Sequence, residues 1–589
     1  MMNALPLHLT GGHFLLSETA PELVFTPEDL STEERQIAES AEKFMDKEVF
    51  PRMESLEHQE PGLAVQLFKQ LGQLGLLALD VPEQYEGLGL GKTAAVGVAG
   101  QLSRLNGFGV TCGAHTGIGT QPLTYFGTEA QKQKYLSKLA SGELMAAYCL
   151  SEAGSGSDAL GMKTKATLSP DGKHYLLTGT KMWITNAAWA DVFTVFAKVD
   201  GEHVTAFLVE RNFPGVSFGK EEHKLGIKTS STRRVILDNA QVPVENVIGG
   251  VGKGAYIAFN ILNLGRFSLG AGAVGGAIDM IRTAAKYATE RQQFGRPLSS
   301  FGLIQQKLSD MAARTFAVES ATYRTASQID AVKATGETID LTQPPFLRGI
   351  EELAVECSIL KVACSEALYY VADEALQIHG GYGFTEEYTP ARATRDARIN
   401  RIFEGTNEIN RLFISGTLYR RAQRGRFDFP KTIPAPIPAV TADMTDLQKA
   451  GILWQGAKQV ALMLAGAAAK KYGKEVGEQQ EILAAISDLV SDIFLGESAL
   501  LRTQKAIAKG RPAAVMTDLT LSLMNEAVSR MEQKASAAWA ALVQGAELAG
   551  CLKMTRHLLA WTPVNTIEMH HRVAQRLCEV GSYHVLIGG

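Results

Sequence analysis

A carboxylate set between an aromatic residue and a glycine is a candidate base. The segment Arg401-Ile402-Phe403-Glu404-Gly405-Thr406-Asn407-Glu408 presents one, Glu404, between two apolar helical runs. Aromatic surface and a bound ligand would strip water from such a group, raise its pKa and suit it to take a proton near neutral pH. An ordinary charged residue in a helix cap fits the same pattern. Four other segments carry residue types that hold ligands. Tyr148-Cys149-Leu150-Ser151-Glu152-Ala153-Gly154-Ser155-Gly156-Ser157 offers hydroxyls, and glycines past which a backbone can approach anionic or carbonyl oxygens. Its glycine spacing is not that of a dinucleotide fingerprint, and no strand is expected before it. In Lys181-Met182-Trp183-Ile184-Thr185, Trp183 could wall a flat aromatic ligand and Thr185 donate to it, although a core tryptophan reads the same way. Arg291, in Arg291-Gln292-Gln293-Phe294-Gly295, is a planar multi-donor group suited to phosphate, or a plain helix-end arginine. Gln377-Ile378-His379-Gly380-Gly381-Tyr382-Gly383 reads as a tight turn presenting backbone, in which His379 could be a base but is better read as a packed or surface histidine.

The elements that must position these residues follow from patterning, and they predict an α+β multidomain chain. Residues 28–145 form an N-terminal helical domain. Thr26-Pro27-Glu28-Asp29 and Ser31-Thr32-Glu33-Glu34 are cap-like starts, residues 64–79 repeat apolar side chains at helical spacing, and Pro82 ends that pattern. Residues 146–250 turn to short β-branched and aromatic runs, which predicts a barrel or sandwich of antiparallel strands. Helical periodicity returns over 251–425, a second helical bundle with breaks at 294–302, 342–347 and 379–391. A proline-rich linker occupies 426–446, and 447–589 is helical again, with stops at Gly510-Arg511-Pro512 and Thr562-Pro563. This order argues against a doubly wound sheet, which would alternate strand and helix.

Bulk properties exclude several classes. The chain has 589 residues, 46% of them hydrophobic, enough for two to four domains. A net charge of -4 supplies no basic field for nucleic acid. The 6 cysteines make neither a disulfide framework nor a metal-ligand cluster. The first twenty residues lack Lys and Arg, so neither a secretory nor a transit peptide is expected, and the protein is placed in the cytoplasm. No stretch reaches the roughly 18 apolar residues of a membrane span. The run at 460–469 reads as a buried stripe, with a helix lying on a membrane surface as the alternative.

Taken together and in order, the segments at 148–158, 183–185, 291–295, 377–381 and 403–406 resemble the acyl-CoA dehydrogenases, most closely their very-long-chain branch. The likeness covers roughly 30–425, and the 447–589 region resembles that branch's helical extension. The resemblance implies an acyl-CoA dehydrogenase-like fold with a middle β-barrel domain, and FAD between it and the second helical domain. It implies Glu404 as catalytic base, abstracting the α-proton of a long-chain acyl-CoA to give trans-2-enoyl-CoA in fatty acid β-oxidation. Tyr148, Ser151, Ser157, Trp183 and Thr185 would line the flavin or the adjoining thioester. Arg291 and Phe294 would hold FAD, often from the neighbouring subunit, and Gln377, Gly380, Gly381, Thr406 and Glu408 would surround its diphosphate and adenosine. Ser157, Gly405 and Arg266 would meet the acyl-CoA, Arg266 near its CoA portion. Electron-transfer flavoprotein is the implied acceptor, a homodimer the implied assembly, and membrane contact at most peripheral. Ser151 replaces a more usual Thr, Ala153 a Pro, and Glu408 and Gly302 a Gln each. An acyl-CoA oxidase using O2, a short- or branched-chain dehydrogenase, and an assembly protein retaining the fold are the alternatives.

Overall fold

Short polar side chains open the helices where the sequence places them. Ser31 accepts from Glu34 N at 3.1 Å and Glu34 returns a carboxylate oxygen to Ser31 N at 2.8 Å, a reciprocal cap that starts α1, Thr32–Phe44. Thr26 and Asp29 bracket the turn Pro27–Asp29 in the same way. The structure, a computed structural model, describes residues 9–333, 351–427, 429 and 436–588. After α1 come α2 (Leu63–Gln73), α3 (Lys92–Leu102), α4 (Asn106–Gly113) and α5 (Glu129–Ala140). On α2, Leu63, Leu67, Phe68 and Leu71 are buried, the helical spacing seen in the sequence. A π-helical turn, Ala114–Gly119, continues α4.

The middle region is a single eight-stranded sheet among the described residues. Its strands are β1 (Ala146–Cys149), β2 (Lys165–Leu168), β3 (His174–Thr185), β4 (Val192–Val199), β5 (His203–Glu210), β6 (Val216–Phe218), β7 (Thr232–Pro243) and β8 (Val247–Ile248). They lie in the order β6-β7-β3-β2-β4-β5-β8, with β1 also on β4. This corrects the expected antiparallel barrel or sandwich. β1 and β2 run parallel to β4, sharing one edge of it at Val192–Val195 and Lys198–Val199, and no closing pair joins β6 to β8 among the described residues. Side-chain alternation reports which face is buried but not strand direction, so the parallel pairs had no signal in the sequence. The Ser/Gly segment does follow a strand, β1, whose four residues are all buried and therefore show no alternation.

Beyond the sheet lie α6 (Gly254–Glu290), α7 (Gly302–Lys333), α8 (Ala354–His379), α9 (Thr389–Ala397) and α10 (Asn407–Gln423). Further along come α11 (Asp446–Tyr472), α12 (Gln480–Ala508), α13 (Ala514–Leu542), α14 (Gly545–Leu558) and α15 (Thr566–Val580). One apolar core runs through both groups, from Phe316 and Ile359 to Trp454, Ile486 and Phe494. α6 presses against α3 so closely that a Cβ on Gly275 would sit 2.1 Å from Gly100 O. By length and composition α6 could cross a membrane, contrary to the expectation that no stretch would, but 78% of its most apolar window is buried in the protein. The 460–469 stripe is core: Val460, Ala461, Leu464, Ala465 and Ala468 are buried, and Lys471 at its end donates to Ala541 O and Leu542 O at 2.8 and 3.0 Å. The expected break at 342–347 lies outside the described residues, as does part of the proline-rich 426–446 segment. All six cysteines are free.

The docking of an N-terminal strap, residues 11–29, on the later helices had no sequence signal, although its Thr26–Asp29 cap did. Gly11 N and Gly12 N donate to Glu352 Oε1 and Glu356 Oε1 at 3.2 and 2.6 Å, and Phe14 packs on Phe494 with ring centres 4.8 Å apart. Lys458 and Lys505 donate to Ser17 O and Val24 O. Arg502, fully buried on α12, joins Glu28 at 2.6 Å to Glu319 of α7 at 2.7 Å.

Candidate active site

The loop between α9 and α10 turns sharply enough to force two successive residues into left-handed backbone, Glu404 at φ 58° and Gly405 at φ 78°. A non-glycine residue there is strained, and such strain persists only where the surroundings hold it. Asn410 holds it, its Nδ2 donating to the carbonyls of Glu404, Gly405 and Thr406 at 3.3, 2.8 and 3.0 Å. Arg266 of α6 adds a long contact from Nε to Glu404 O at 3.4 Å and is itself held by Asn263 Oδ1 at 2.9 Å. Thr406 caps α10 by accepting from Ile409 N at 3.3 Å.

This backbone aims the Glu404 carboxylate inward. The residue as a whole is partly exposed, yet its Oε2 is buried and has no hydrogen-bond partner. Burial pushes its pKa up to about 7, with the charges of Arg266 and Lys361 pulling the other way. Space for the carboxylate exists because α6 carries glycine beneath it: a Cβ on Gly265 would sit 2.7 Å from Oε2 and 3.0 Å from Ile118. Ile118 belongs to the π-helical turn, and beside it Gly117 is buried with nothing within 4 Å of where its Cβ would be, so it borders a void. Tyr148 is buried in edge-to-face contact with Phe196; burial, then the Glu404 charge, raise its pKa well above the usual tyrosine value.

The remaining predicted residues fall into two places. Trp183 stands at the sheet surface, 57% exposed, in a left-handed conformation (φ 56°) at an irregularity in the β3–β7 pairing, with Thr185 two residues on. The Ser/Gly segment docks beside it: Met182 N donates to Ser151 O at 2.9 Å, while Ser157 is exposed and no atom lies near a Cβ on Gly154 or Gly156. Its anchor is a residue the sequence reading passed over. Buried Glu152 pairs with Lys181 at 2.8 Å and accepts from Lys163 N and Thr164 N. The signal was available, since an acid and a lysine inside two apolar segments must find each other when buried.

Arg291 leaves the far end of α6, its guanidinium over the Tyr382 ring at 5.4 Å, and makes no ion pair among the described residues. Phe294 follows at φ 52°, 92% exposed. Gln377, Gly380 and Gly381 are exposed beside this arm, and a Cβ on either glycine would meet nothing within 4 Å. His379 is packed as expected, stacked on Tyr287 at 4.0 Å with Nδ1 on Ala375 O. Arg266 and Glu290 are 24 residues apart on α6, about 36 Å at ~1.5 Å per residue. The structure therefore brings Glu404, Gly405, Thr406, Arg266 and Tyr148 together but sets Arg291, Phe294, Gln377, Gly380 and Gly381 at a second place. Glu408 is exposed on the first turn of α10. Two cavities of about 590 and 310 Å³ lie elsewhere, the first among α1, α3, α6 and the C-terminus, the second between α8 and α12, and neither is lined by Glu404.

An exposed indole, an unpaired arginine and open glycine backbone are surfaces on which a flat ring and a diphosphate can rest, and their donor chemistry fits FAD. Comparison with known proteins agrees. The sequence patterns of acyl-CoA dehydrogenase N-terminal and middle domains match residues 31–143 and 147–240, and those of C-terminal domains match 252–419 and 456–557. A probable acyl-CoA dehydrogenase of Bacillus subtilis (strain 168) is 45% identical over 584 residues, 98% of each chain. The very long-chain specific acyl-CoA dehydrogenase of Homo sapiens is 44% identical over 357 residues, 59% of this chain and 52% of that protein. The crystal structure of an acyl-CoA dehydrogenase complexed with FAD from Bacillus anthracis superposes with a TM-score of 0.93 at 46% identity, over 98% of this chain and 99% of that one.

Proposed function

This chain belongs to the acyl-CoA dehydrogenase family and is an FAD-binding oxidoreductase of that type, and on this premise we propose that it converts long-chain acyl-CoA to trans-2-enoyl-CoA with Glu404 as the base. The observation that carries this reading is the enclosed, unpartnered Glu404 carboxylate above Gly265. A group poised near neutrality can take the weakly acidic α-proton on Oε2 without being trapped as a salt bridge. FAD supplies the two-electron acceptor that takes the β-hydrogen as hydride. The backbone amide of Glu404 polarises the thioester carbonyl, Arg266 and Asn410 hold that loop, and burial of the acyl chain excludes water. Arg266, implied near CoA by resemblance, is buried against Asn263 and Glu404 and is better read as a holder of the loop.

Ser151, Ser157, Trp183 and Thr185 wall the flavin end of the cofactor. The distance along α6 supports a homodimer in which Arg291, Phe294, Gln377, Gly380 and Gly381 of a second copy grip the other end. The void at Gly117, together with the likeness to a very-long-chain relative, supports long acyl chains. Electrons pass to electron-transfer flavoprotein rather than O2. Glu404→Gln tests the base: it should keep FAD and acyl-CoA binding and lose flavin reduction by at least about 10³-fold in anaerobic stopped flow. Near-normal reduction would sink the assignment. A panel of acyl-CoA substrates from short to very long chains, scored for turnover with electron-transfer flavoprotein and for peroxide, tests the rest. A short-chain optimum, or rapid peroxide formation, would remove the long-chain or the acceptor reading.

A further inference from the structure

Lys361 on α8 is fully buried, yet its ammonium has no carboxylate partner. Among the described residues it makes no ion pair, and Nζ donates to a neutral acceptor, Asn407 Oδ1, at 2.7 Å. A buried charge normally finds an opposite charge, because desolvating it alone is costly. The neutral pin is itself tightly defined. Asn407 Nδ2 donates to Ser365 Oγ at 3.1 Å and to Glu366 Oε1 at 3.0 Å, which fixes the amide with its oxygen towards the lysine. Glu366 is clamped by both ends of the Arg411 guanidinium at 3.0 and 3.1 Å. Arg411 Nε binds Asp488 of α12 at 2.7 Å, and Lys534 of α13 closes the chain on Asp488 at 2.9 Å.

Asn407 is the first residue of α10, three positions after Glu404. The lysine is thus tethered at the start of the helix whose preceding loop carries the base. The ionisable groups around the pair come from four elements: Arg266 of α6 and Tyr148 of β1 face Glu404, while Glu366 of α8, Glu408 of α10 and Arg266 also act on Lys361. We propose that Lys361 is a positioning residue for the base: pinned by Asn407, it holds an ammonium near Glu404 through the acid range in which Oε2 gains its proton, and so sets the pH above which Oε2 is free to accept the α-proton. The inference rests on Glu404 being the base. It accounts for a lysine left without a carboxylate of its own, since an adjacent acid would cancel its field at Glu404. It also accounts for the length of the polar chain, which holds the pin from the C-terminal helices. Burial lowers the Lys361 pKa to about 7, and the Glu404 charge opposes that fall, as expected of two groups that feel each other.

The sign of the effect is fixed. A nearby ammonium favours the carboxylate, so removing it raises the Glu404 pKa and moves the acid limb of the rate profile to higher pH. The experiment measures anaerobic flavin reduction by acyl-CoA against pH in wild type, Lys361→Met, Lys361→Gln and Lys361→Arg, with FAD content recorded for each. In the Met and Gln variants the limb should move up by about one unit, which from a midpoint near 7 is about five-fold slower at neutral pH with the alkaline plateau kept. Lys361→Arg should hold the limb in place. An unmoved limb in FAD-replete Lys361→Gln overturns the proposal, as does loss of FAD from both neutral variants, which would assign Lys361 to holding the fold. Rapid reduction by Glu404→Gln would instead overturn the base itself.

Discussion

At the scale of single residues, the site is made by what is missing as much as by what is present. Gly265 supplies the room that Glu404 occupies, so Gly265→Ala should push a methyl into Oε2. Displacing a reacting group by about 1 Å costs ~10²-fold. The variant is therefore expected to keep FAD while flavin reduction slows by roughly 10- to 100-fold, read by stopped flow against an unchanged cofactor absorbance ratio. A rate within two-fold of wild type would show that the carboxylate does not rest over α6. Glu404 could be singled out as a candidate base from the sequence because its neighbours, Phe403 and Gly405, are adjacent in the chain. Gly265 and Lys361 could not, because their link to Glu404 spans more than a hundred residues in one case and a turn of chain plus a helix in the other. Composition records a glycine and a lysine but no distance between them and Glu404.

At the scale of elements, local chemistry was readable and pairing direction was not. The Ser31 and Thr26 caps are built from residues three apart and appear as expected. The parallel attachment of β1 and β2 to β4 depends on a connection that leaves the sheet and returns, which no short window reports. The hairpin-like arm at Arg291–Pro297 shows how an element declares its purpose by poor packing. Phe294 is left in solvent and Arg291 without a carboxylate, which is unfavourable for one chain alone. Arg291→Ala is expected to release FAD during dilution and gel filtration, with ~10-fold or weaker retention. Catalysis per bound FAD should change little, since Glu404 sits over Gly265, far along α6 from Arg291. Unchanged retention would detach this arm from the cofactor.

At the scale of the molecule, the helices beyond the proline-rich segment are continuous with the helices before it rather than appended to them. The shared core and the Arg502 triad join α12 to α7 and to the N-terminal strap. Burial alone would push Glu28 up, but Arg502 holds its carboxyl below the ordinary glutamate value. Arg502→Ala would leave Glu28 and Glu319 facing one another without a cation, at a cost of about 3–5 kcal/mol. A clear fall in Tm, with residual FAD still bound at low temperature, is the expected result; a Tm within a degree of wild type would show that the triad contributes nothing net. Light scattering should return a homodimer, and a monomer that retains FAD would contradict the sharing of one cofactor between two copies.

The strap has a consequence for synthesis. Glu28 and Arg502 are 474 residues apart in the chain. At ribosomal rates of about 5–20 residues per second, Glu28 waits roughly 25–95 s for the partner that neutralises it. Until then Glu28 lacks its cation and Phe14 lacks Phe494, although Gly11 and Gly12 can already meet Glu352 and Glu356. The strap can therefore be completed only once α12 has been made. A nascent chain arrested before α12 should hold its N-terminus open to protease, and one arrested after α13 has emerged should protect it.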